Sequence, residues 1–238
     1  MNLLLSAETT GWDTFLSVTQ KLAGGFGTTL LLFFLTLLFA IPLGLLFACI
    51  SRARFKPARF LMRAFIYVIR GTPLLLQLMI VVYLPGIAFK TPLTKWEIFH
   101  QNVPLSYFCG ALFAFVINYA CYFAEIFRGG IENIPKGQYE ACEVLGMTKS
   151  QTFFRVILLQ VIRNIVAPMS NEVVTLVKDT ALARTVSVVE IFFTASEILR
   201  LQFIIWPLFY TGAFYLLFSA LVTLFFGIVE KKLSRYWK

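Results

Sequence analysis

The sequence predicts an all-α polytopic membrane protein with five transmembrane helices, the N-terminus outside and the C-terminus cytosolic. Three observations carry that prediction. The 238 residues are 59% hydrophobic and only 14% charged, whereas soluble domains are about a quarter charged. Four stretches, Gly27 to Ile50, Gly71 to Phe89, Gln101 to Ala124 and Leu201 to Val229, contain no Asp, Glu, Lys or Arg. Three of them exceed the roughly 20 residues that carry a helix across a ~30 Å hydrocarbon core, and the second is slightly shorter. Finally, the basic residues alternate between sides.

That alternation explains the net charge of +9. Arg52, Arg54, Lys56, Arg59 and Arg63 follow the first span. Arg128, Lys136, Lys149, Arg155 and Arg163 follow the third, and Lys231, Lys232, Arg235 and Lys238 close the chain. The opposite side holds Lys21, Lys90, Lys95, Lys178, Arg184 and Arg200. The excess marks the cytosolic side, so it is a topology signal and not a nucleic-acid site. An odd number of crossings is then required, and a weaker apolar stretch between Arg163 and Arg200 supplies the fifth.

In chain order, Met1 to Leu5 is too short and lacks the basic flank of a signal peptide. Residues 8–24 read as a short amphipathic or irregular lead-in, and Gly24-Gly25-Phe26-Gly27 as a flexible approach to the first span (27–50). Within that span Ala40, Gly44 and Ala48 form a small-residue stripe that lets another helix come close. The second span (60–89) is interrupted by Arg70-Gly71-Thr72-Pro73. Proline removes a backbone donor and clashes with the preceding turn, so the helix should kink or break there, near mid-membrane. Such breaks are tolerated at membrane depth only where they are buried in protein or line a cavity. The third span (104–127) holds Asn118 and Glu125, and the fourth (161–180) Pro168, Asn171 and Glu172. The last is 203–229. The chain reads as one transmembrane domain over 1–238.

The cytosolic segment, 128–158, is more ordered than a loop requires. Helix formers follow Gly137 and stop at Gly146, a typical helix C-terminus. Thr148-Lys149-Ser150-Gln151 fits a capping box that starts the next helix. A short helix presenting Tyr139, Ala141, Val144 and Leu145 beside Glu140 and Glu143 suits docking into a partner's groove. Resting on lipid is the alternative, which two central acids oppose.

Catalytic chemistry has no foothold. Cys49, Cys109 and Cys121 sit in apolar spans and Cys142 in the cytosolic segment, His100 is the only histidine and reads as an exposed loop residue, and no metal-ligand spacing occurs. No Gly-x-x-x-x-Gly-Lys-Ser/Thr loop is present to cradle nucleotide phosphates.

Glu140-Ala141-Cys142, with Gly146 four positions beyond Cys142, resembles the EAA loop of ATP-binding-cassette (ABC) importer permeases. Further stretches resemble the polar amino acid permease family: Arg70-Gly71-Thr72-Pro73-Leu74-Leu75-Leu76-Gln77, Ala124 to Ile131, Lys136 to Ala141, and Asn171 to Val174 with Lys178 to Ala183. The likeness covers about residues 20–235. Cys142, Leu159 and Ala181 stand where the family usually has Ala, Pro and Ser.

The resemblance implies a type I ABC importer permease fold and a multi-pass location in a bacterial plasma membrane. It implies a transport subunit without enzymatic activity, translocating polar and possibly basic amino acids. The partners it implies are two ATPase subunits carrying ATP-Mg, a second permease copy or homologue, and an external solute-binding protein. Gly137, Tyr139, Glu140, Ala141, Cys142, Glu143 and Gly146 would form the helix that the ATPase grips. Polar groups in spans are expensive and functional by default, so Arg70, Thr72, Gln77, Asn118, Asn171 and Glu172 are the pathway candidates. Glu125, Arg128, Lys178 and Asp179 are candidates for structural ion pairs, and Arg70 fits either role. The alternatives are a permease for a quaternary amine or dipeptide, and an ion-gradient-driven transporter, whose usual paired repeats are missing here.

Overall fold

The computed structural model describes residues 11–89, 95–98 and 101–234. Its first helix, α1, runs unbroken from Gly11 to Ser51. The expected irregular lead-in and flexible glycine approach are therefore corrected, as far as the described residues go, to one continuous helix. The reason is close packing. A Cβ on Gly25 would stand 2.8 Å from Thr194 Oγ1 and 2.9 Å from Ile191 Cα, so the missing side chain is what lets a neighbouring helix in. The Ala40, Gly44 and Ala48 stripe works in the same way. Both alanines are buried, and a Cβ on Gly44 would lie 2.8 Å from Phe123 Cβ and 2.9 Å from the Ala120 carbonyl oxygen.

The predicted second span is two helices, α2 (Lys56–Gly71) and α3 (Leu74–Phe89), bent by 104°. The break falls at the expected residues. Thr72 is extended, with φ −113° and ψ 146°, as the residue before a proline prefers. The interruption expected within 60–89 is thus a full break, with the two helices near right angles.

Between α3 and the next helix, β1 (Lys95–Ile98) pairs antiparallel with β2 (Gln101–Pro104), a small addition to the all-α expectation. His100 lies outside the described residues. Helix α4 (Leu105–Glu132) is the centre of the fold, packed by α1 and α3. Its Ala111, Ala114, Phe115, Tyr119 and Phe123 are all buried.

After α4 come α5 (Lys136–Val144) and the single turn α6 (Lys149–Gln151), which opens on the predicted capping box at Thr148. A wider helical turn over Thr152–Ile157 leads into α7 (Leu158–Asp179), which passes Pro168 without ending and packs on α4. A 3-10 segment, Thr180–Val186, follows α7. Helix α8 (Ile191–Gln202), which the sequence pattern left unread, then precedes α9 (Trp206–Ser234).

Among the described residues four helical stretches are long and apolar enough to cross a membrane: Trp12–Ser51, Tyr107–Glu132, Lys149–Val186 and Trp206–Leu233. The bent α2–α3 pair supplies a fifth if it counts as one span. Large apolar residues such as Phe34, Leu38, Phe209, Leu216 and Phe225 remain exposed on α1 and α9, as a lipid-facing surface requires.

Candidate functional site

The break between α2 and α3 opens a cavity of about 490 Å³ against α4 and α7. Its polar lining is Arg70 and Thr72 from the break, Asn118, Tyr119 and Tyr122 from α4, and Glu172, Thr175 and Asp179 from α7. Volumes of roughly 300–1,000 Å³ are usual for small-molecule sites.

A break inside an apolar bundle frees backbone carbonyls that need donors, and Gln77 supplies them. Its Nε2 donates to the Ile69 carbonyl at 2.8 Å, to the Thr72 carbonyl at 3.2 Å and to Thr72 Oγ1 at 2.8 Å. Its Oε1 accepts from Asn118 Nδ2 at 3.0 Å. Thr72 Oγ1 in turn donates to the Val68 carbonyl at 3.0 Å. One side chain, from the first turn of α3, therefore staples the break shut and ties it to α4.

The charges sit around this staple. Arg70 lies with its guanidinium 4.9 Å above the Tyr122 ring, close enough for a cation–π attraction. Its Nη1 is 3.9 Å from Glu125 Oε2, a loose contact. Arg128 holds Glu125 more firmly, with Nη2 to Oε2 at 2.6 Å and Nε to Oε1 at 3.2 Å, and also donates to Glu132. The Arg70 side chain stays 41% exposed, so its charge is open to the cavity. On the facing wall, Tyr119 donates its hydroxyl to Asp179 Oδ2 at 2.7 Å, while Glu172 makes no hydrogen bond or ion pair among the described residues.

Of the pathway candidates, Arg70, Thr72, Asn118 and Glu172 line the cavity, and Gln77 stands behind Thr72 and Asn118. Asn171 is exposed, outside the lining, and its carbonyl accepts from Thr175 Oγ1. Of the ion-pair candidates, Glu125 and Arg128 pair with each other. Asp179 bonds Tyr119 instead, and Lys178 is exposed and makes no ion pair among the described residues. Tyr119, Tyr122 and Thr175 went unread, because hydroxyl residues in a span carry no signal until their neighbours are known.

A second polar junction was also missed. Glu190 is fully buried and caps α8, accepting from the Phe192 and Phe193 amides at 2.7 and 2.5 Å and from the Tyr215 hydroxyl at 3.0 Å. Thr29 Oγ1 on α1 accepts from the Ile191 amide at 3.3 Å. The sequence signal was weak, because the residue before Ile191-Phe192-Phe193 is Glu and not one of the usual Ser, Thr, Asp or Asn caps.

Helix α5 is a third feature. It ends in a Schellman motif: the Gly146 amide donates to the Glu143 carbonyl at 2.9 Å and the Met147 amide to the Cys142 carbonyl at 3.0 Å. Gly146 has φ +69°, where glycine alone is unstrained. Cys142 points inward and is buried, while Tyr139, Glu140, Ala141 and Glu143 are exposed. Val144 and Leu145 are 88% and 77% exposed, an unusual position for two large apolar side chains at a polar helix end. A hollow of about 620 Å³ between α5 and the turn that follows it is lined by residues including Tyr139, Glu143, Met147 and Phe153. Gln160 Nε2 on α7 donates to Gln138 Oε1 at 3.1 Å, fixing the helix to the bundle.

Comparison with known proteins places this architecture. The sequence profile of the family described as binding-protein-dependent transport system inner membrane component matches residues 40–235. The L-cystine transport system permease protein TcyB of Bacillus subtilis (strain 168) is 38% identical over 217 residues, 90% of this chain and 87% of that protein. The arginine ABC transporter permease protein ArtM of Haemophilus influenzae is 30% identical over 229 residues, covering 94% and 96%. The crystal structure of an amino acid ABC transporter with histidines superposes with a TM-score of 0.80 at 28% identity, over 94% of this chain and 99% of that one. An inward-facing structure of the MetNI methionine ABC transporter shares the fold, with a TM-score of 0.67 at 14% identity over 94% and 99% of the two chains. With its apolar helices, its broken span and a match over residues 40–235, the chain belongs to the binding-protein-dependent transport system inner membrane component family and is a multi-pass membrane transport subunit.

Proposed function

We propose that this chain is a permease subunit of an ATP-driven importer of polar amino acids, and that the cavity at the α2–α3 break receives the substrate on its way through. The observation that carries this reading is the arrangement of charge. One cation, Arg70, faces two carboxylates, Glu172 and Asp179, across about 490 Å³, which leaves the lining one unit negative. A zwitterion fits with its carboxylate toward Arg70 and the first turn of α3, since helix N-termini favour anions. Its ammonium, or a basic side chain, fits toward Glu172 and Asp179. The naming of the relatives TcyB and ArtM for cystine and arginine transport is consistent with such a ligand.

Each group then has a task. Arg70, Thr72, Asn118 and Glu172 touch the solute, Gln77 holds the break in shape, and Glu125, paired with Arg128, lies beside Arg70. Asn171, exposed outside the lining, joins the pathway only if a second permease copy faces it. ATP-Mg binds a separate ATPase subunit, one for each permease in a two-plus-two assembly, and each ATPase grips α5 through Tyr139, Glu140, Ala141, Glu143 and Gly137. Cys142 anchors α5 from its buried side, and Gly146 forms its turn. Closing of the ATPases shifts α5, the Gln138–Gln160 link passes the shift to α7, and the wall carrying Glu172 and Asp179 moves. An external binding protein delivers the solute to the opposite face, with the N-terminus on that side, the C-terminus in the cytosol and residues 1–238 acting as one domain.

The test is uptake of labelled amino acids by cells carrying Glu172→Gln. Loss of uptake, with membrane assembly and ATP hydrolysis retained, is expected. Unchanged uptake and unchanged substrate preference would remove Glu172 from the pathway.

A further inference from the structure

Helix α2 carries three separate faces. At about 100° per residue, Lys56, Arg59 and Arg63 fall on one side, with Arg70 continuing their line. Leu61, Phe65 and Val68 fall on the opposite side. Between them runs the seam that packs on the bundle: Ile66 is buried, and Met62 and Ile69 are partly buried. The apolar side is largely uncovered, with Leu61 66% and Val68 55% exposed and Phe65 covered in part by Phe47. From Arg52 to Arg63 the chain holds five basic residues and no acid.

Depth and direction follow from the contacts. Arg63 Nε donates to the Ser51 carbonyl at the end of α1, at 3.1 Å. The Phe65 ring packs on Phe47, one turn earlier in α1. The first half of α2 therefore lies level with the last turn of the long apolar helix α1. Helix α3 runs along α4, itself a candidate span, with Tyr83 against Tyr107 and Gln77 against Asn118. Since α2 leaves α3 at 104°, it lies close to the plane of the membrane surface. A basic stripe opposite an apolar stripe on a helix in that plane is the pattern of an interfacial helix. Headgroup phosphates meet the first stripe and acyl chains the second. The N-terminus of α2 has no side-chain cap, which leaves amide donors beside the cations.

We propose that α2, with the preceding Arg52-Ala53-Arg54, is a binding site for anionic phospholipid on the cytosolic side of the membrane. Arg52, Arg54, Lys56 and Arg59 hold the phosphate, and Leu61, Phe65 and Val68 bed into the acyl chains. The site is separate from the solute cavity, although Arg70 at the far end of α2 belongs to that cavity. An occupied site therefore fixes the helix that positions the cation there.

The purified protein in nanodiscs is probed with a photoactivatable phosphatidylglycerol and, in parallel, the matching phosphatidylcholine, with labelled peptides mapped by mass spectrometry. Labelling of residues 52–68 by phosphatidylglycerol is expected, about ten-fold or more above phosphatidylcholine. Combined Arg54→Gln, Lys56→Gln and Arg59→Gln should weaken phosphatidylglycerol retention on the order of a hundred-fold at low salt. Lys231→Gln with Lys232→Gln, which removes cytosolic charge elsewhere, should leave it unchanged. Equal labelling by both lipids would overturn the proposal, as would equal loss in the two variants. So would shielding of residues 52–68 by a co-purifying protein, which would make the stripe a protein interface. Arg52 and Arg63 remain to hold the topology of the triple variant, tag accessibility checks its orientation, and the wild-type mapping decides the matter should it insert wrongly.

Discussion

Gln77→Leu tests how the broken helix is held. The substitution keeps apolar bulk at the position and removes four hydrogen bonds: those to the Ile69 carbonyl, the Thr72 carbonyl and Thr72 Oγ1, and the one from Asn118 Nδ2. Side-chain hydrogen bonds inside membrane proteins contribute roughly 0.6 kcal/mol each on average, and since the two Nε2 hydrogens are shared among three acceptors, the set contributes about 2 kcal/mol. The loss falls most heavily on Asn118, 4% exposed, whose amide is left without its acceptor. For a chain of this size that corresponds to about 5–8 °C in the midpoint of thermal unfolding. The assay is intrinsic-fluorescence unfolding of the purified protein for Gln77→Leu, Asn118→Leu and the double variant. Removing both members of a polar pair costs less than leaving one orphaned, so the double variant should be more stable than the sum of the singles predicts. Strict additivity, or a Gln77→Leu protein as stable as wild type, would refute the staple.

Other positions give independent checks. Gly44→Leu should prevent α1 from lying against α4, costing at least the 1–3 kcal/mol typical of overpacking, because one of its obstacles is the Ala120 carbonyl; size-exclusion chromatography of the purified variant would show aggregation in place of a single species. Glu190→Ala removes the α8 cap and the hydrogen bond from the Tyr215 hydroxyl, and should destabilise by about 1–3 kcal/mol, with Glu190→Asp recovering part of the loss in thermal unfolding. Gly146→Ala places a side chain at φ +69° and should cost about 1 kcal/mol, measurable as weaker ATPase retention before any change in helix content by circular dichroism.

Much of this architecture was legible because it depends on local chemistry. The break needed only Gly71, Thr72 and Pro73, since a proline and the residue before it restrict the backbone regardless of surroundings. The turn into α6 needed only Gly146, Thr148 and Gln151, whose bonds close within a few residues. The start of α1 was misread because glycine has two uses, conformational freedom and close approach, and only the position of α8 shows that Gly25 serves the second. Helix α8 was overlooked because its twelve residues hold Glu197 and Arg200 within a short apolar stretch, too little for a span and too charged for a core helix. In the cavity, Arg70 and Glu172 stood out as charges in apolar segments. The tyrosines did not: Tyr119 matters only because residue 179, sixty positions away, comes to lie beside it. Gln77 had been legible as polar and in a span, but its reach back across the break is a three-dimensional fact.

The measurement that bears most directly on the proposed function is a detergent pull-down of the tagged chain from its native membranes, compared with a Glu140→Arg, Gly146→Trp variant. A Walker-motif ATPase that comes down with the native chain and is lost with the variant is the predicted result, since both substitutions fall on the exposed surface and terminal turn of α5. If no ATPase comes down under conditions that preserve other membrane complexes, or if the variant retains it fully, α5 is not the ATPase contact and the account of coupling fails.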